Sequence, residues 1–324
     1  MDTTSSSAPR NPRHGNWSTP QPAKPTSEPA HPDQRALVLA GAGAAGNAWE
    51  LGLIAGLSDA GVDLTEADLV VGTSAGSTVA AQITGAARPT ELYAAILAEA
   101  PPPPSRGGAA HRRGAPNASG PNYLEWSDTI IATSESAYDM RRRMGAAALE
   151  REAASPSEPT RWRDIVAARL PHHDWPRQRV LIAAVDADTG EPVVFDRDSG
   201  VDLVDAVAAS TSAMTPYRIG EHHYLNGGYR RSENADLAAG HGRVVVLSPF
   251  SGRTRMPLEW GMDLASQVAE LRAGGSSVET VFPDSRAGDV FGANALDPST
   301  RLPAARGGYD QGLDLAAHLA EFWR

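Results

Sequence analysis

Short apolar runs alternate with helical patterns from residue 36 onward. Residues 36–40 and 69–71 are wholly apolar, which is typical of strands buried on both faces of a parallel sheet. Between them, large apolar residues recur at helical spacing until Gly61, a residue type that commonly ends a helix. Further helices are predicted over residues 77–85 and 90–98. Strand, glycine turn and helix follow one another twice, so the pattern predicts a βαβ unit with a right-handed crossover.

The same alternation returns in the second half of the chain. Residues 179–185 predict a core strand and residues 192–196 its hairpin partner, while 243–248 and 278–282 predict two more strands. Helical spacing is present over residues 123–153, 162–170, 202–209, 260–273 and 309–323. These elements predict an α/β fold, a three-layer α/β/α sandwich with a mainly parallel central sheet, in one domain over residues 35–324.

Two segments depart from this pattern. Residues 1–34 are rich in Ser, Thr and Pro, nearly lack aliphatic residues, and are predicted to form a disordered tail without the apolar core of a secretory signal. Residues 101–160 begin with four prolines and predict an irregular insert of the length expected for a lid. Its apolar side chains would form a lip over a substrate: Leu124, Trp126, Ile130 and Ile131.

Composition narrows the possible functions. A formal charge of −10 argues against a nucleic-acid partner, and the absence of cysteine excludes disulfides, thiolate zinc sites and cysteine nucleophiles. No His, Asp and Glu residues have metal-ligand spacing, so no metal is expected. No segment reaches the ~18 apolar residues of a membrane span. We therefore expect a soluble, cytoplasmic protein whose oligomeric state the sequence leaves open.

A glycine loop follows the first predicted strand. Gly41-x-Gly43-x-x-Gly46 stands before a helix and matches the dinucleotide-binding fingerprint, which makes an NAD(P)-binding oxidoreductase one alternative. Glycines at a helix N-terminus also allow backbone amides to approach any anion. The acidic residue that would bind a ribose should end the second strand, but the nearby acids lie in a turn before it. This position weakens the cofactor interpretation.

The second strand ends in a nucleophile-elbow pattern. Gly72-Thr73-Ser74-Ala75-Gly76 lies at a strand-to-helix junction, where a sharp turn holds a hydroxyl out of the sheet. Small residues there also permit an ordinary tight turn, so the pattern alone is common. Here the strand that it follows is predicted to lie beside the first strand, which ends in the glycine loop with its free backbone amides. Because parallel strands share their carboxyl edge, the hydroxyl and the loop amides should meet there.

A third motif, Asn226-Gly227-Gly228, follows a predicted strand. Alone it predicts only a tight turn. Together the three motifs resemble the patatin-like phospholipase family, whose members have a Gly-rich oxyanion loop, a Gly-x-Ser-x-Gly elbow and a later Asp-Gly-Gly or Asp-Gly-Ala, in that order. The resemblance runs over residues 36–82 and 179–249. It weakens over the insert and in the last part of the chain.

This resemblance implies a lipid acyl hydrolase of the phospholipase A, lysophospholipase or esterase type, without a cofactor. Ser74 would be the nucleophile of a Ser–Asp dyad that contains no histidine. The oxyanion hole would lie in the glycine loop, formed by Gly41, Ala42, Gly43, Ala44 and Gly46. The substrate would be a phospholipid or another acyl ester, reached through transient contact with a membrane surface. The dyad acid should stand at position 226, where this chain has Asn226.

Asparagine at position 226 leaves several alternatives open. An amide cannot take a proton at physiological pH, so hydrolysis should be reduced or absent, and the chain could be a non-catalytic acyl-binding or regulatory protein. Asp186, Asp188 or Asp236 could replace the missing acid if the fold brings one of them to Ser74. Asn followed by Gly also favours deamidation, which would create an acid at position 226. The residue is equally compatible with a natural or an engineered change.

Overall fold

The computed structural model describes residues 30–99, 120–156, 159–292 and 294–324. These residues form a central sheet flanked by helices. The strands are β1 (His31–Leu39), β2 (Leu69–Gly72), β3 (Arg179–Asp186), β4 (Pro192–Phe195), β5 (Tyr217–Ile219), β6 (His222–Asn226), β7 (His241–Leu247) and β8 (Ser277–Val281). The helices are α1 (Gly43–Asp59), α2 (Ala75–Ile83), α3 (Pro89–Leu97), α4 (Gly120–Thr133), α5 (Ala137–Ala154), α6 (Pro159–Ala167), α7 (Leu203–Thr211), α8 (Leu264–Ala273) and α9 (Arg301–Trp323).

The sheet has the order β5-β6-β3-β2-β1-β7-β8, and β4 pairs with β3. Strands β3, β2, β1, β7 and β8 run parallel. Strands β4 and β6 each pair antiparallel with β3, and β5 pairs antiparallel with β6. Leu39 at the end of β1 stands opposite Gly72 at the end of β2. The glycine loop and the elbow therefore leave the sheet side by side. The predicted α/β class with a mainly parallel central sheet is confirmed.

Alternate residues of β1 face opposite layers of helices. Leu37 and Leu39 pack into the apolar cluster that includes α1, α2, α7 and α9, while Ala36 and Val38 face the cluster that includes α8. All four side chains are fully buried. A strand covered on both faces needs apolar residues at every position, which explains the uninterrupted run in the sequence.

Several predicted boundaries were wrong. Strand β1 begins at His31, inside the stretch that was predicted to be disordered, because its first residues pair through the backbone with β7 and need no apolar side chains. The rest of that predicted tail lies outside the described residues. Helix α9 begins at Arg301, eight residues before the predicted start at 309. Its first turns contain few large apolar residues to signal a helix.

Within the predicted insert at 101–160, the structure forms helices α4 and α5 with a short break at residues 134–136, which agrees with the helical spacing predicted over 123–153. Its proline-rich beginning lies outside the described residues. The short strand β5 was not predicted, since three residues carry too little pattern. Within the described residues, no helix is long and apolar enough to cross a membrane.

Candidate active site

Ser74 occupies a strained turn between β2 and α2. Its φ of 52° and ψ of −120° place a non-glycine residue in a region that costs backbone energy. Two hydrogen bonds hold the turn: the Ser74 amide donates to Ser210 Oγ at 2.9 Å, and Ser77 Oγ donates to the Ser74 carbonyl at 2.6 Å. This is the geometry of the predicted elbow, in which the hydroxyl projects from the end of the sheet.

The residues around Ser74 are packed against β1. Thr73 is buried and its amide donates to the Leu39 carbonyl at 3.0 Å. A Cβ atom on Gly76 would lie 2.1 Å from the same carbonyl oxygen, so only glycine fits there. Gly72 ends β2, and Ala75 begins α2 and lines a cleft together with Ser74. The predicted need for small residues around the serine thus follows from the neighbouring strand.

The glycine loop lies directly against the elbow. A Cβ atom on Gly41 would come within 2.7 Å of Ser74 Cβ, so a side chain here would push the two segments apart. Ala42, Gly43 and Ala44 follow at the start of α1 and line the same cleft. Among the described residues, the amides of these three make no backbone hydrogen bond. They are therefore available to an anion beside Ser74.

The next two amides of the loop are already used. Ala45 donates to the Ala295 carbonyl at 3.0 Å, and Gly46 donates to the Ala42 carbonyl at 2.9 Å. The prediction that Gly46 contributes to the oxyanion hole was therefore wrong, because its amide is not free to bind an anion. Gly46 serves packing instead, since a Cβ atom there would meet Ala42 and Pro249.

Asn226, the last residue of β6, contacts Ser74. Its Nδ2 atom donates to Ser74 Oγ at 2.9 Å, and its Oδ1 atom accepts from the Gly228 amide at 2.9 Å. Gly227 and Gly228 form the 3₁₀ turn that follows, with Gly227 packed against the Ala183 carbonyl. The fold thus brings together the two positions that lie 152 residues apart in the sequence.

The Gly228 amide determines which end of the Asn226 side chain faces Ser74. A backbone N–H can only donate, so it requires the amide oxygen. The NH₂ group must then point at the serine hydroxyl. Ser74 Oγ consequently accepts a hydrogen bond at the place where a dyad would require it to donate one.

A buried asparagine links the elbow to the turn after Asn226, and the sequence analysis missed it. Asn234 Nδ2 donates to Thr73 Oγ1 at 2.9 Å and to the Gly227 carbonyl at 3.0 Å. Its φ of 60° lies in the left-handed region. Neither this backbone angle nor the contacts of the side chain can be recognised from the sequence. Asn234 therefore positions the two halves of the site relative to each other.

The carboxylates considered as substitutes for an acid at position 226 have other partners. Asp236 binds the Arg230 guanidinium through two hydrogen bonds of 2.8 and 2.9 Å. Asp186 accepts three hydrogen bonds within its own turn, and Asp188 contacts His223. Among the described residues, the hydrogen bond from Asn226 is the one that reaches Ser74 Oγ.

One further carboxyl group lies behind the elbow. Glu233 accepts a hydrogen bond from Thr73 Oγ1 through its backbone carbonyl at 3.1 Å. Its carboxyl group accepts from Ser248 Oγ at 2.9 Å and also from the Ser232 hydroxyl. Burial raises the pKa of this carboxyl above its ordinary value. The carboxyl group thus binds these two serines, while the backbone carbonyl of Glu233 holds Thr73 in the elbow.

Folding also brings together a group of possible metal ligands that are not adjacent in the sequence. Ligand atoms of Asp186, Asp188 and His222 lie within 4.8 Å of one another. The sequence analysis expected no metal because it considered spacing alone. The two aspartates already hold the β3–β4 turn and His223, as described above, so their oxygens have structural roles.

Ser74 and Asn226 open into a cleft of about 2670 Å³. Leu124 and Tyr123 from α4 line it, which agrees with part of the predicted apolar lip. Trp126, Ile130 and Ile131 pack instead into a core cluster below α4. Only one of the four predicted lip residues therefore faces the cleft.

The fold and the site define an α/β protein with a serine-bearing elbow beside an amide-lined loop at the carboxyl edge of a parallel sheet. A model of the family described as patatin-like phospholipase matches residues 37–239. The chain belongs to this family. A search of curated proteins finds no significant match.

Several solved structures resemble the chain, among them VipD and ExoU. VipD from Legionella pneumophila is 14% identical, with a TM-score of 0.42, over 89% of this chain and 68% of that one. The type III effector protein ExoU is 16% identical, with a TM-score of 0.32, over 88% of this chain and 54% of that one. The chain thus spans about half the length of ExoU.

Proposed function

We propose that the chain carries the site of a serine hydrolase for acyl esters of lipids, with Ser74 as nucleophile and position 226 as the place of the proton acceptor. The hydrogen bond of 2.9 Å between Ser74 Oγ and the Asn226 side chain carries this proposal. Distances in this range are those at which a general base acts on a nucleophile. Family membership supports a lipid ester as the substrate.

In the reaction, Ser74 Oγ would attack the carbonyl carbon of the ester. The carbonyl oxygen would become an oxyanion beside the free amides of Ala42, Gly43 and Ala44. The serine proton must pass to a base and then to the leaving alkoxide, after which water releases the acyl group. An Asn226 amide performs neither transfer, so the rate of this chain should be lower by about 10²–10⁴ than with a base.

A second candidate function is acyl binding without turnover. The direction of the hydrogen bond favours it, because a donor at position 226 leaves the serine proton without an acceptor in the site. The two candidates share the cleft and the loop. They differ only in whether the parent chain performs slow chemistry at Ser74.

Labelling by a fluorophosphonate tests the role of Ser74. We expect the parent chain to be labelled slowly at Ser74 and Asn226→Asp about a hundredfold faster, because phosphonylation also needs removal of the serine proton. Ser74→Ala should abolish labelling, while Ser285→Ala, which removes an exposed hydroxyl, should not change it. Label on any other residue, or equal rates for the parent and Asn226→Asp, would contradict the proposal. Complete absence of label on the parent with rapid labelling of Asn226→Asp would favour acyl binding alone.

A further inference from the structure

Arginines outnumber carboxylates in the lining of the cleft, although the protein is acidic as a whole. Among the described residues that line it, seven are arginines and two are glutamates, whereas the chain has a formal charge of −10. Clefts lined by one sign of charge concentrate ligands of the opposite sign. Neither the elbow nor the glycine loop requires these arginines.

Arg169 is the arginine with the clearest spare capacity. Among the described residues, its guanidinium makes no hydrogen bond or ion pair, and it lies over the Trp162 ring with 5.6 Å between Cζ and the ring centre. The Trp162 indole in turn donates to the Ala208 carbonyl at 3.2 Å. The cation is thus held by stacking on an anchored ring, with its donors unused.

A second arginine increases the local positive charge. Arg301 pairs with Glu99 at 2.8 Å and donates to Asn47 Oδ1 at 2.8 Å. Desolvation and then the charge of Arg301 lower the pKa of the Arg169 guanidinium, with Glu99 opposing them. Arg169 is reached by solvent but lies in a concave wall, which explains how an accessible group can also be desolvated. The single carboxylate of Glu99 therefore lies near two guanidinium groups, those of Arg169 and Arg301.

Helix α2 runs from the nucleophile toward the backbone of Arg169, and both residues line the same cleft. Gln82, eight residues after Ser74, donates to the Arg169 carbonyl at 2.9 Å. At 1.5 Å per residue, α2 separates these positions by about 12 Å. In a glycerophospholipid, six bonds join the phosphorus to an ester carbonyl and span about 7 Å when extended. With an attack distance at one end and a charged hydrogen bond at the other, such a lipid spans about 13 Å, which is comparable with the separation between Ser74 and the end of α2 that contacts the Arg169 backbone.

We propose that Arg169 is a specificity-determining residue that binds the phosphate of an acyl lipid whose head group has a net negative charge. The proposal rests on the proposed function for the identity of the substrate as an acyl ester. A zwitterionic head group carries a positive charge of its own, which the arginines that line the cleft would repel. Anionic lipids should therefore bind better than choline lipids.

Binding of single-chain probes to the full-length protein tests this proposal. Dodecyl phosphate, dodecylphosphocholine and inorganic phosphate would be titrated by calorimetry, with both dodecyl compounds kept below the concentrations at which they form micelles. We expect dodecyl phosphate to bind at least about tenfold more tightly than dodecylphosphocholine. Arg169→Gln should weaken binding of dodecyl phosphate about tenfold or more, with little change for dodecylphosphocholine.

The control is Arg88→Gln, which removes the same charge from an exposed residue outside the lining of the cleft. It should bind dodecyl phosphate as the parent does, and both variants should keep the parent melting temperature. Equal affinity for the two dodecyl probes, or unchanged binding by a folded Arg169→Gln, would overturn the proposal. Inorganic phosphate that binds as tightly as dodecyl phosphate would also overturn it, because the ligand would then be free phosphate.

Discussion

Asn226 donates a hydrogen bond to Ser74, with 2.9 Å between Nδ2 and Oγ, and the Gly228 amide fixes that direction by occupying Oδ1. A carboxylate at position 226 would keep the bond to Gly228 through one oxygen and accept the serine proton with the other. The backbone is therefore compatible with either an amide or an acid at this position, and the two side chains differ by one atom.

Gly41 should be essential for chemistry at Ser74 because a Cβ atom there would lie 2.7 Å from Ser74 Cβ. Gly41→Ala in the Asn226→Asp background should slow fluorophosphonate labelling about a hundredfold, since a displacement of about 1 Å has an effect of that size. Gly292→Ala is the control, because its Cβ atom would meet nothing within 4 Å. Unchanged labelling by Gly41→Ala would mean that the loop does not constrain the elbow.

Asn234 should contribute strongly to stability because it joins Thr73 and Gly227 from a fully buried position. Asn234→Ala should lower the free energy of unfolding by about 3 kcal/mol, as its buried partners lose their donor. Asn234→Gly should be less harmful by about 1 kcal/mol because the φ of 60° suits glycine. Urea unfolding would measure both, with the exposed Asn294→Ala expected to change little. Equal losses for the Ala and Gly variants would contradict the backbone argument.

Glu50 should make stability fall as pH rises. It is fully buried in α1, its two carboxyl oxygens lack hydrogen-bond partners among the described residues, and desolvation raises its pKa well above the ordinary 4.5. Above that ordinary value the unfolded chain releases the proton while the folded chain retains it. The free energy of unfolding therefore decreases by about 1.4 kcal/mol per pH unit until the folded pKa is reached.

Glu50→Gln removes this penalty and should be more stable than the parent at neutral pH. The difference should grow as the pH rises above about 5, beyond the ordinary pKa of the carboxyl group, in urea unfolding experiments. Glu321→Gln, at an exposed position, serves as the control and should follow the parent. A constant difference between Glu50→Gln and the parent over this range would show that Glu50 does not titrate as described.

Asn226 should remain an amide in the folded protein. Deamidation requires the Gly227 nitrogen to attack the Asn226 side chain, but that side chain is held by Ser74 and Gly228. Peptide mapping of aged protein should find Asn at this position, while unfolded protein under the same conditions should convert. An acid at position 226 in folded, aged protein would contradict this expectation and would supply the missing base.

The apolar runs predicted the buried parallel strands, and because these strands share their carboxyl edge they also predicted that the glycine loop and the Ser74 elbow lie side by side. The meeting of Ser74 with position 226 was expected only from the family resemblance, because Asn226 ends β6, which runs antiparallel to β3. The direction of the hydrogen bond between Asn226 and Ser74 was not predictable, because it depends on the Gly228 amide. Asn234 and Arg169 were also missed, since their roles arise from contacts between distant segments and leave no local pattern.

One atom of the side chain at position 226 is expected to limit chemistry at Ser74. The most direct test is the initial rate of hydrolysis of a short-chain p-nitrophenyl ester by the parent, by Asn226→Asp and by the double variant Ser74→Ala with Asn226→Asp. We predict a gain of about 10²–10⁴ for Asn226→Asp and its loss in the double variant. No gain with Asn226→Asp, or a gain that persists without the Ser74 hydroxyl, would show that the side chain at position 226 does not limit chemistry at Ser74.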